Sequence, residues 1–207
     1  MADRPARILL GFVLACLVLS RIGAYDGTIW FAETVPVLIG AILLLATWRR
    51  FRLTSVLCWL IAIHSIILIV GGHYTYARVP IGNWIQDVLD LQRNPYDRIG
   101  HFAQGFMPAI LTREILIRRS PLRAGKWMFF LVTCVCLAFS AFYELVEWQY
   151  AVQGGDGSME FLGVQGDVWD AQWDMFMALI GAVLAQITLD RIHNRQLREL
   201  SPARVQS

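Results

Sequence analysis

Four carboxylates lie inside segments that are apolar enough to cross a membrane, and they limit how this chain can fold. Glu144 and Glu147 lie near the end of one long apolar run, and Asp170 and Asp174 lie at the start of the next. A charge near the centre of a bilayer costs roughly 2.5–3.5 kcal/mol on insertion scales, so such side chains usually face a bundle interior or an aqueous cavity. We therefore expect these acids to meet polar partners on neighbouring helices.

The composition indicates an integral membrane protein. Hydrophobic residues make up 57% of the 207 residues, which is too apolar for an ordinary soluble domain of that length. The four cysteines lie within apolar runs, where we expect free thiols rather than disulfides. The spacing of Cys134 and Cys136 does not fit a zinc–thiolate site.

Hydropathy predicts an all-α polytopic membrane bundle of about six transmembrane helices, in one domain over residues 1–207. The expected spans cover residues 8–19, 30–48, 53–72, 95–117, 126–150 and 168–189, followed by a basic tail over residues 190–207. The first segment shows no good cleavage site, so we interpret it as a retained helix rather than a signal peptide. Trp84, Ile85, Val88 and Leu89 lie at helical spacing opposite polar residues, which predicts a short helix on the membrane surface.

The distribution of charge predicts the orientation in the membrane. With the N-terminus inside, 14 of the 18 Lys and Arg residues fall in cytoplasmic segments, which agrees with the positive-inside rule. We therefore expect both termini to be cytoplasmic. Most acids then lie on or near the outer face, which favours cations and disfavours nucleic acid. Asp156 and Glu160, in the glycine-rich loop before the last span, are expected to be accessory.

Three helices are expected to place one ligand-type side chain each at the same depth. At about 1.5 Å per residue, His101, Glu144 and Asp174 each lie roughly 9 Å in from the outer end of their helix. A second layer is expected one turn nearer the mouth, at i,i+3 or i,i+4 spacing from the first; it consists of Asp97, Glu147 and Asp170. The match in depth predicts that the three deeper side chains converge.

The sequence is also compatible with purely structural roles for the same residues. Near helix N-termini, acids such as Asp97, Asp167 and Asp170 are favoured by the helix dipole and by capping. For the three deeper residues, the alternative is a polar network that fixes helix packing. His64, on an apolar helix, is expected to be a packing histidine. His73 and the neighbouring Tyr74 are candidates for the rim of the site.

Three stretches of the chain resemble the YjdF-like family of small bacterial inner-membrane proteins. They are Asn94–Phe102, Glu144–Trp148 and Gly166–Met175, which read NPYDRIGHF, ELVEW and GDVWDAQWDM. The resemblance covers the whole chain and implies a multi-pass protein of the bacterial inner membrane.

The last three helices also resemble the VanZ-like family. Its pattern has Asp-Lys-x-x-His-Phe opening one helix, Glu-x-x-Gln closing the next, and Asp followed four residues on by Asn and then glycines opening the last. The matching positions in this chain are Asp97, His101, Glu144, Asp170 and Gly181.

The chain departs from the VanZ-like pattern in its charges. Arg98, Glu147 and Asp174 stand where the pattern has Lys, Gln and Asn, and the arginine that usually precedes the last aspartate is missing. The extra negative charge implies a cation-binding variant. VanZ-like members are associated with glycopeptide (teicoplanin-type) resistance and with envelope processes.

Three functions of different classes fit these observations. The first is a membrane-embedded enzyme with a divalent metal (Zn, Mn or Mg) that acts on an envelope lipid or a lipid-linked headgroup. Its expected metal ligands are His101, Glu144, Asp174 and Asp170. Its expected catalytic carboxylates are Glu144, Glu147 and Asp97.

The second function is a cation or proton transporter, and the third is a non-catalytic envelope factor whose acids organise the bundle. The inner half of the chain offers a transporter only His64 and Glu114 as an onward path, and the sequence shows no inverted repeat. No Gly-x-Ser-x-Gly, phosphate-binding loop or His-Glu-x-x-His motif occurs. The sequence therefore indicates a site but no substrate or reaction.

Overall fold

The chain is helical over most of residues 3–154 and 165–200, the part that the computed structural model describes. The seven α-helices of this part are α1 (Asp3–Ser20), α2 (Gly27–Thr47), α3 (Ser55–Tyr74), α4 (Pro80–Leu89), α5 (Tyr96–Arg119), α6 (Lys126–Gly154) and α7 (Asp170–Leu200), with a 3-10 turn at Tyr76–Arg78. The expected all-α class is confirmed.

Four of the helices, α2, α3, α6 and α7, are long and apolar enough to cross a membrane. Helices α1 and α5 also have at least 18 residues but carry more charge, with Arg4 and Arg7 in α1 and charged groups near both ends of α5. A polytopic helical membrane protein is thus confirmed. The number of six spans stays a prediction.

The last helix is longer than the sequence indicated. We expected it to end near Leu189, but α7 continues to Leu200. His193 and Leu197 are buried there, so the first part of the expected basic tail is a helix packed on the bundle. The loop acids Asp156 and Glu160 lie outside the described residues.

The short helix expected after the third span is present as α4. Its side chains Ile81, Trp84 and Val88 are largely exposed in the protein. An amphipathic helix with its apolar side uncovered suits the interface between water and lipid. Its position on the membrane surface stays a prediction.

Helix α5 lies at the centre of the bundle and packs against α3, α6 and α7, whereas α1 and α2 pack on α3. The first turns of α5 and α7 lie together with the last turns of α3 and α6; we call this the acidic end of the bundle. The opposite end carries Arg52, Arg118 and Lys126 near its helix termini, and we call it the basic end.

Two glycines let α5 and α7 approach closely between these two ends. A Cβ atom added to Gly105 would lie 1.8 Å from the carbonyl oxygen of Ala178, and one added to Gly181 would lie 2.1 Å from the carbonyl oxygen of Phe102. Any larger residue would force the helices apart. One turn before Gly105 lies His101, and one turn before Ala178 lies Asp174, so the crossing brings these two side chains together.

Candidate cation site

A buried histidine of α5 faces two carboxylates at the acidic end. The His101 Nε2 atom lies 3.6 Å from an Asp97 oxygen and 3.9 Å from an Asp174 oxygen. One ligand-type atom from each of the three residues lies within 4.8 Å of the others. Ligands that each lie about 2.0–2.3 Å from one ion are themselves separated by roughly 3–4 Å. The three atoms are thus spaced as ligands of a cation between them would be.

Glu144 faces the other nitrogen of the same ring. Its Oε1 atom lies 3.6 Å from His101 Nδ1. We expected His101, Glu144 and Asp174 to form one shell, and the three do converge, but Glu144 and Asp174 lie at different ring nitrogens. Asp97 takes the place beside Nε2 instead of lying one turn above, because its i,i+4 spacing puts it on the same helix face as His101.

Asp170 was expected to be a metal ligand, but it forms a buried ion pair with Arg93. Arg93 precedes α5 and also donates to Asp97 at 3.2 Å. Burial by itself lowers the pKa of Arg93, but the bond to Asp170 and the charges of the nearby carboxylates raise it above the usual value. The guanidinium therefore stays charged and neutralises Asp170.

A second arginine lies at the rim of the site. Arg98 donates to Asp167 at 2.6 Å, and its guanidinium lies 5.2 Å from the centre of the Trp173 ring. Asp167 also accepts from the backbone N–H of Trp169 at 2.9 Å, in a turn that precedes α7; because α7 begins at Asp170, Asp167 lies before the expected N-cap position. Arg98 is more exposed than Arg93, so it is the one of these two arginines that lies nearer to solvent.

Three polar atoms of the cluster are buried without a hydrogen-bond partner in the described part of the chain. They are His101 Nδ1, Glu144 Oε1 and Asp174 Oδ1. Asp174 is only 1% exposed and His101 only 5%. Buried polar groups in folded proteins are nearly always paired, so these atoms have hydrogen-bonding capacity left for a further polar group.

The site also receives a carboxylate from α2 that the sequence did not connect with it. Glu33 is buried, and its Oε2 atom accepts from the Tyr143 hydroxyl at 3.4 Å. It lies within electrostatic range of Asp97. Gly72 of α3 makes room for it, since a Cβ atom there would lie 3.2 Å from Glu33 Cβ. In the sequence, the adjacent glycines Gly71 and Gly72 were the feature that could have indicated this close approach of α2 and α3.

Glu147 is buried as well and lies within electrostatic range of Glu144, Asp97 and Glu33. The expected outer layer of Asp97, Glu147 and Asp170 is thus divided. Asp97 faces the histidine directly, Asp170 is neutralised by Arg93, and Glu147 lies beside Glu144. The carboxylates outnumber the cationic side chains, which favours a bound cation over an anion.

The two other histidines whose place was left open make no ion pair with the carboxylates of this cluster in the described residues, although His64 lies within electrostatic range of His101. His73 Nδ1 lies 2.7 Å from the carbonyl oxygen of Ser20 and so joins α3 to the end of α1. His64 is buried on α3 beside the backbone of Ala103, and its Nδ1 atom has no partner among the described residues. Burial of His64 agrees with its expected packing role.

A second buried polar cluster lies at the basic end. Glu114, which is fully buried, accepts from the Thr54 hydroxyl at 2.7 Å and from Arg118 at 2.7 Å. His193 Nε2 lies 3.1 Å from Oε2 of the same carboxylate. The sequence analysis missed His193 because it ended the helix at Leu189.

Arg113 completes this second cluster. It donates to His193 Nδ1 at 2.9 Å, to Asp190 at 2.5 Å and to Asn194 at 2.7 Å. A guanidinium can only donate, so Nδ1 of His193 accepts, and its Nε2 carries the proton and donates to Glu114. The i,i+3,i+4 spacing of Asp190, His193 and Asn194 was the signal for a continued helix.

Comparison with known proteins gives a consistent result. Residues 5–195 match the family described as "Predicted membrane protein (DUF2238)". The chain is 54% identical over 182 residues to the inner membrane protein YjdF of Escherichia coli (strain K12), over 88% of this chain and 87% of that protein. No solved structure matches. The resemblance of the last three helices to the VanZ-like family stays a prediction.

Proposed function

Because this chain belongs to the YjdF-like, DUF2238 family of inner-membrane proteins, we propose that it binds a divalent cation within the membrane and uses it on an envelope substrate. The observation that carries this proposal is the buried convergence of Asp97, His101 and Asp174 on one point. Two of these residues also present polar atoms without a protein partner in the described residues, His101 Nδ1 and Asp174 Oδ1.

The arrangement around His101 assigns a role to each ring nitrogen. Nε2 faces Asp97 and Asp174 and is the ligand atom, while Nδ1 carries the proton and faces Glu144. A carboxylate behind a metal-bound histidine fixes its tautomer and raises its basicity. Glu144 is therefore a positioning residue in this proposal, Asp97 is a ligand, and Glu147 is left as the candidate acid or base.

One imidazole and two carboxylates suit Zn²⁺, Mn²⁺ or Mg²⁺ better than a soft metal. Three protein ligands leave coordination positions open, as catalytic sites require. A divalent ion supplies a Lewis acid or an activated water molecule. The side chains of this protein hold the ligand atoms in place and keep bulk water away from them.

The substrate class proposed here is a membrane lipid or a lipid-linked headgroup. The positive-inside rule favours a cytoplasmic basic end, and the acidic end would then open to the outer face. Arg98, at the rim beside Trp173, is placed to meet a phosphate group at that surface. Alkaline phosphatase fused after Gly155 should then be active, and fused after Arg119 inactive; the reverse would overturn the orientation.

Transport of the cation is less well supported. Between the two polar clusters, α5 and α7 touch at Gly105 and Gly181. Beyond this crossing the described residues form an apolar core that includes Ala109, Ile110 and Ala182. An ion would have to pass these apolar side chains before it reached the buried Gln186 of α7.

The proposal is tested by metal analysis of protein purified in mild detergent without chelator. We expect bound Zn, Mn or Mg in the wild type, and loss of that metal in the Asp97→Asn, His101→Gln and Asp174→Asn variants. The matched control is Asp87→Asn, an acid of the surface helix α4, which should keep the metal. Equal metal content in Asp174→Asn and the wild type would refute the site.

A further inference from the structure

A second set of buried polar atoms continues inward from the Nδ1 side of His101. Gln104 lies one turn after His101 on α5, and Ser140 lies one turn before Glu144 on α6. Because the two helices run antiparallel, both residues lie one turn deeper than the His101–Glu144 contact. Gln104 Oε1 and Ser140 Oγ are buried and make no hydrogen bond of standard geometry in the described part of the chain, although Gln104 lies close enough to His101 to interact with its ring.

Ser140 differs from other helical hydroxyl groups of this protein. Four threonines within helices donate to the carbonyl oxygen of the preceding turn, at distances of 2.7–2.9 Å; they are Thr34, Thr47, Thr133 and Thr188. Ser140 is fully buried and does not make this bond. Its hydroxyl is thus available to a group outside its own helix.

The four unpaired atoms match the hydrogen bonds of water. Gln104 Oε1 and Glu144 Oε1 accept, Ser140 Oγ donates or accepts, and Nδ1 of His101 donates in the tautomer that rests on the proposed function. A buried water molecule typically makes about three hydrogen bonds to groups that would otherwise be unsatisfied. Two acceptors and two donors complete the four bonds that one water molecule can form.

We propose that α5 and α6 enclose an ordered-water site bounded by His101, Gln104, Ser140 and Glu144. The site is closed on its inner side, because Cys136, one turn deeper on α6, belongs to the apolar core with Val132 and Ile110. It therefore opens only toward the acidic end. Water held there hydrates the ring nitrogen opposite the candidate ligand atom. Because water both donates and accepts, it can bond Nδ1 in either tautomer of His101, with or without a bound cation.

The direct test is a structure of the full chain in a lipid nanodisc at a resolution that shows buried water, determined in the presence of EDTA. We expect density for water within hydrogen-bond distance of at least two of the four atoms. The proposal is overturned if Ser140 Oγ instead donates to the Cys136 carbonyl oxygen and Glu144 pairs directly with His101, with no water between the helices. The use of EDTA separates this outcome from any failure of the cation site.

Thermal unfolding of Ser140 variants gives a second measurement. Ser140→Val fills the space with methyl groups, displaces the water and leaves the other three atoms unpaired, so its unfolding midpoint should fall by about 3–8 °C. Ser140→Ala should have a smaller effect, because the water keeps three partners. Thr188→Val, at an exposed hydroxyl that bonds its own helix, is the control. A higher midpoint for Ser140→Val would show a dry gap and overturn the proposal.

Discussion

The two ends of the helix pair α5 and α7 bury polar side chains in different ways. At the basic end, the bonds of Glu114, Arg113 and His193 measure 2.5–3.3 Å. At the acidic end, the contacts of His101 with three carboxylates measure 3.6–3.9 Å. The polar groups of the basic end bond directly to one another. The imidazole and carboxylate groups of the acidic end are too far apart for hydrogen bonds and leave room for an ion or a water molecule between them. Burial of charge does not by itself mark a functional site, and what distinguishes the acidic end is that several unpaired atoms meet around one ring.

The two ends also differ in charge balance: the acids of the basic end have arginine partners, whereas the acidic end has more carboxylates than arginines. Glu114 has a direct guanidinium partner in Arg118, and Asp190 has one in Arg113. At the acidic end, Arg93 is engaged by Asp170 and Asp97, and Asp174 has no arginine contact in the described residues. A network of complete pairs stabilises one fixed packing. A cluster with excess carboxylate needs a cation or protons.

The largest expected effect is at the basic end. Glu114→Gln replaces an acceptor of several bonds by an amide whose NH₂ group faces donors from Thr54, Arg118 and His193. Removing one partner of a buried charge pair costs about 3–5 kcal/mol. The unfolding midpoint in detergent should therefore fall sharply. An unchanged midpoint would mean that the two clusters do not differ in the way described.

The matched substitution at the acidic end should behave in the opposite way. Asp174→Asn removes one of several mutually repelling carboxylates, so stability in EDTA should be unchanged or higher. Wild-type protein should gain about 2.7 kcal/mol from metal at one hundred times its dissociation constant, and the variant should gain nothing. Thermal unfolding with and without Mn²⁺ measures both effects. Metal stabilisation of Asp174→Asn equal to that of the wild type would contradict the assignment.

The smallest effect is expected for the two acids of the glycine-rich loop. Asp156→Asn and Glu160→Gln should leave metal content and the unfolding midpoint close to those of the wild type, because the proposed ligands are on α5 and α7. The same metal analysis and unfolding measurements apply. A loss of metal from either loop variant as large as that from Asp174→Asn would show that the loop supplies metal ligands, and would contradict the assignment to α5 and α7.

The depth of the site could be predicted from the sequence because the rise of a helix is fixed. Counting residues inward from three helix ends put His101, Glu144 and Asp174 at one level, and in the structure Glu144 and Asp174 lie 3.6 and 3.9 Å from nitrogens of the His101 ring. Counting could not give the rotation of each helix about its axis. For that reason the side of the ring that Glu144 faces, and the direct contact of Asp97, were not foreseen.

Other parts of the site depend on contacts that periodicity does not encode. Arg93 lies in a connection before α5, where backbone conformation is set by tertiary structure, so its pairing with Asp170 was missed. Glu33 reaches the cluster only because α2 packs on α3 at Gly72. His193 was missed because hydropathy falls along α7 after Leu189 while the helix continues.

The central claim is that His101 binds a divalent cation and that His193, equally buried, does not. Pulsed electron paramagnetic resonance of protein loaded with one equivalent of Mn²⁺ tests this, since a coordinated imidazole nitrogen modulates the electron spin echo. The comparison is between His101→Gln and His193→Gln, and the glutamine at position 193 can still accept from Arg113 and donate to Glu114. We expect nitrogen modulation in the wild type and in His193→Gln, and none in His101→Gln. Modulation that survives in His101→Gln, or that is absent from the wild type, would contradict the account.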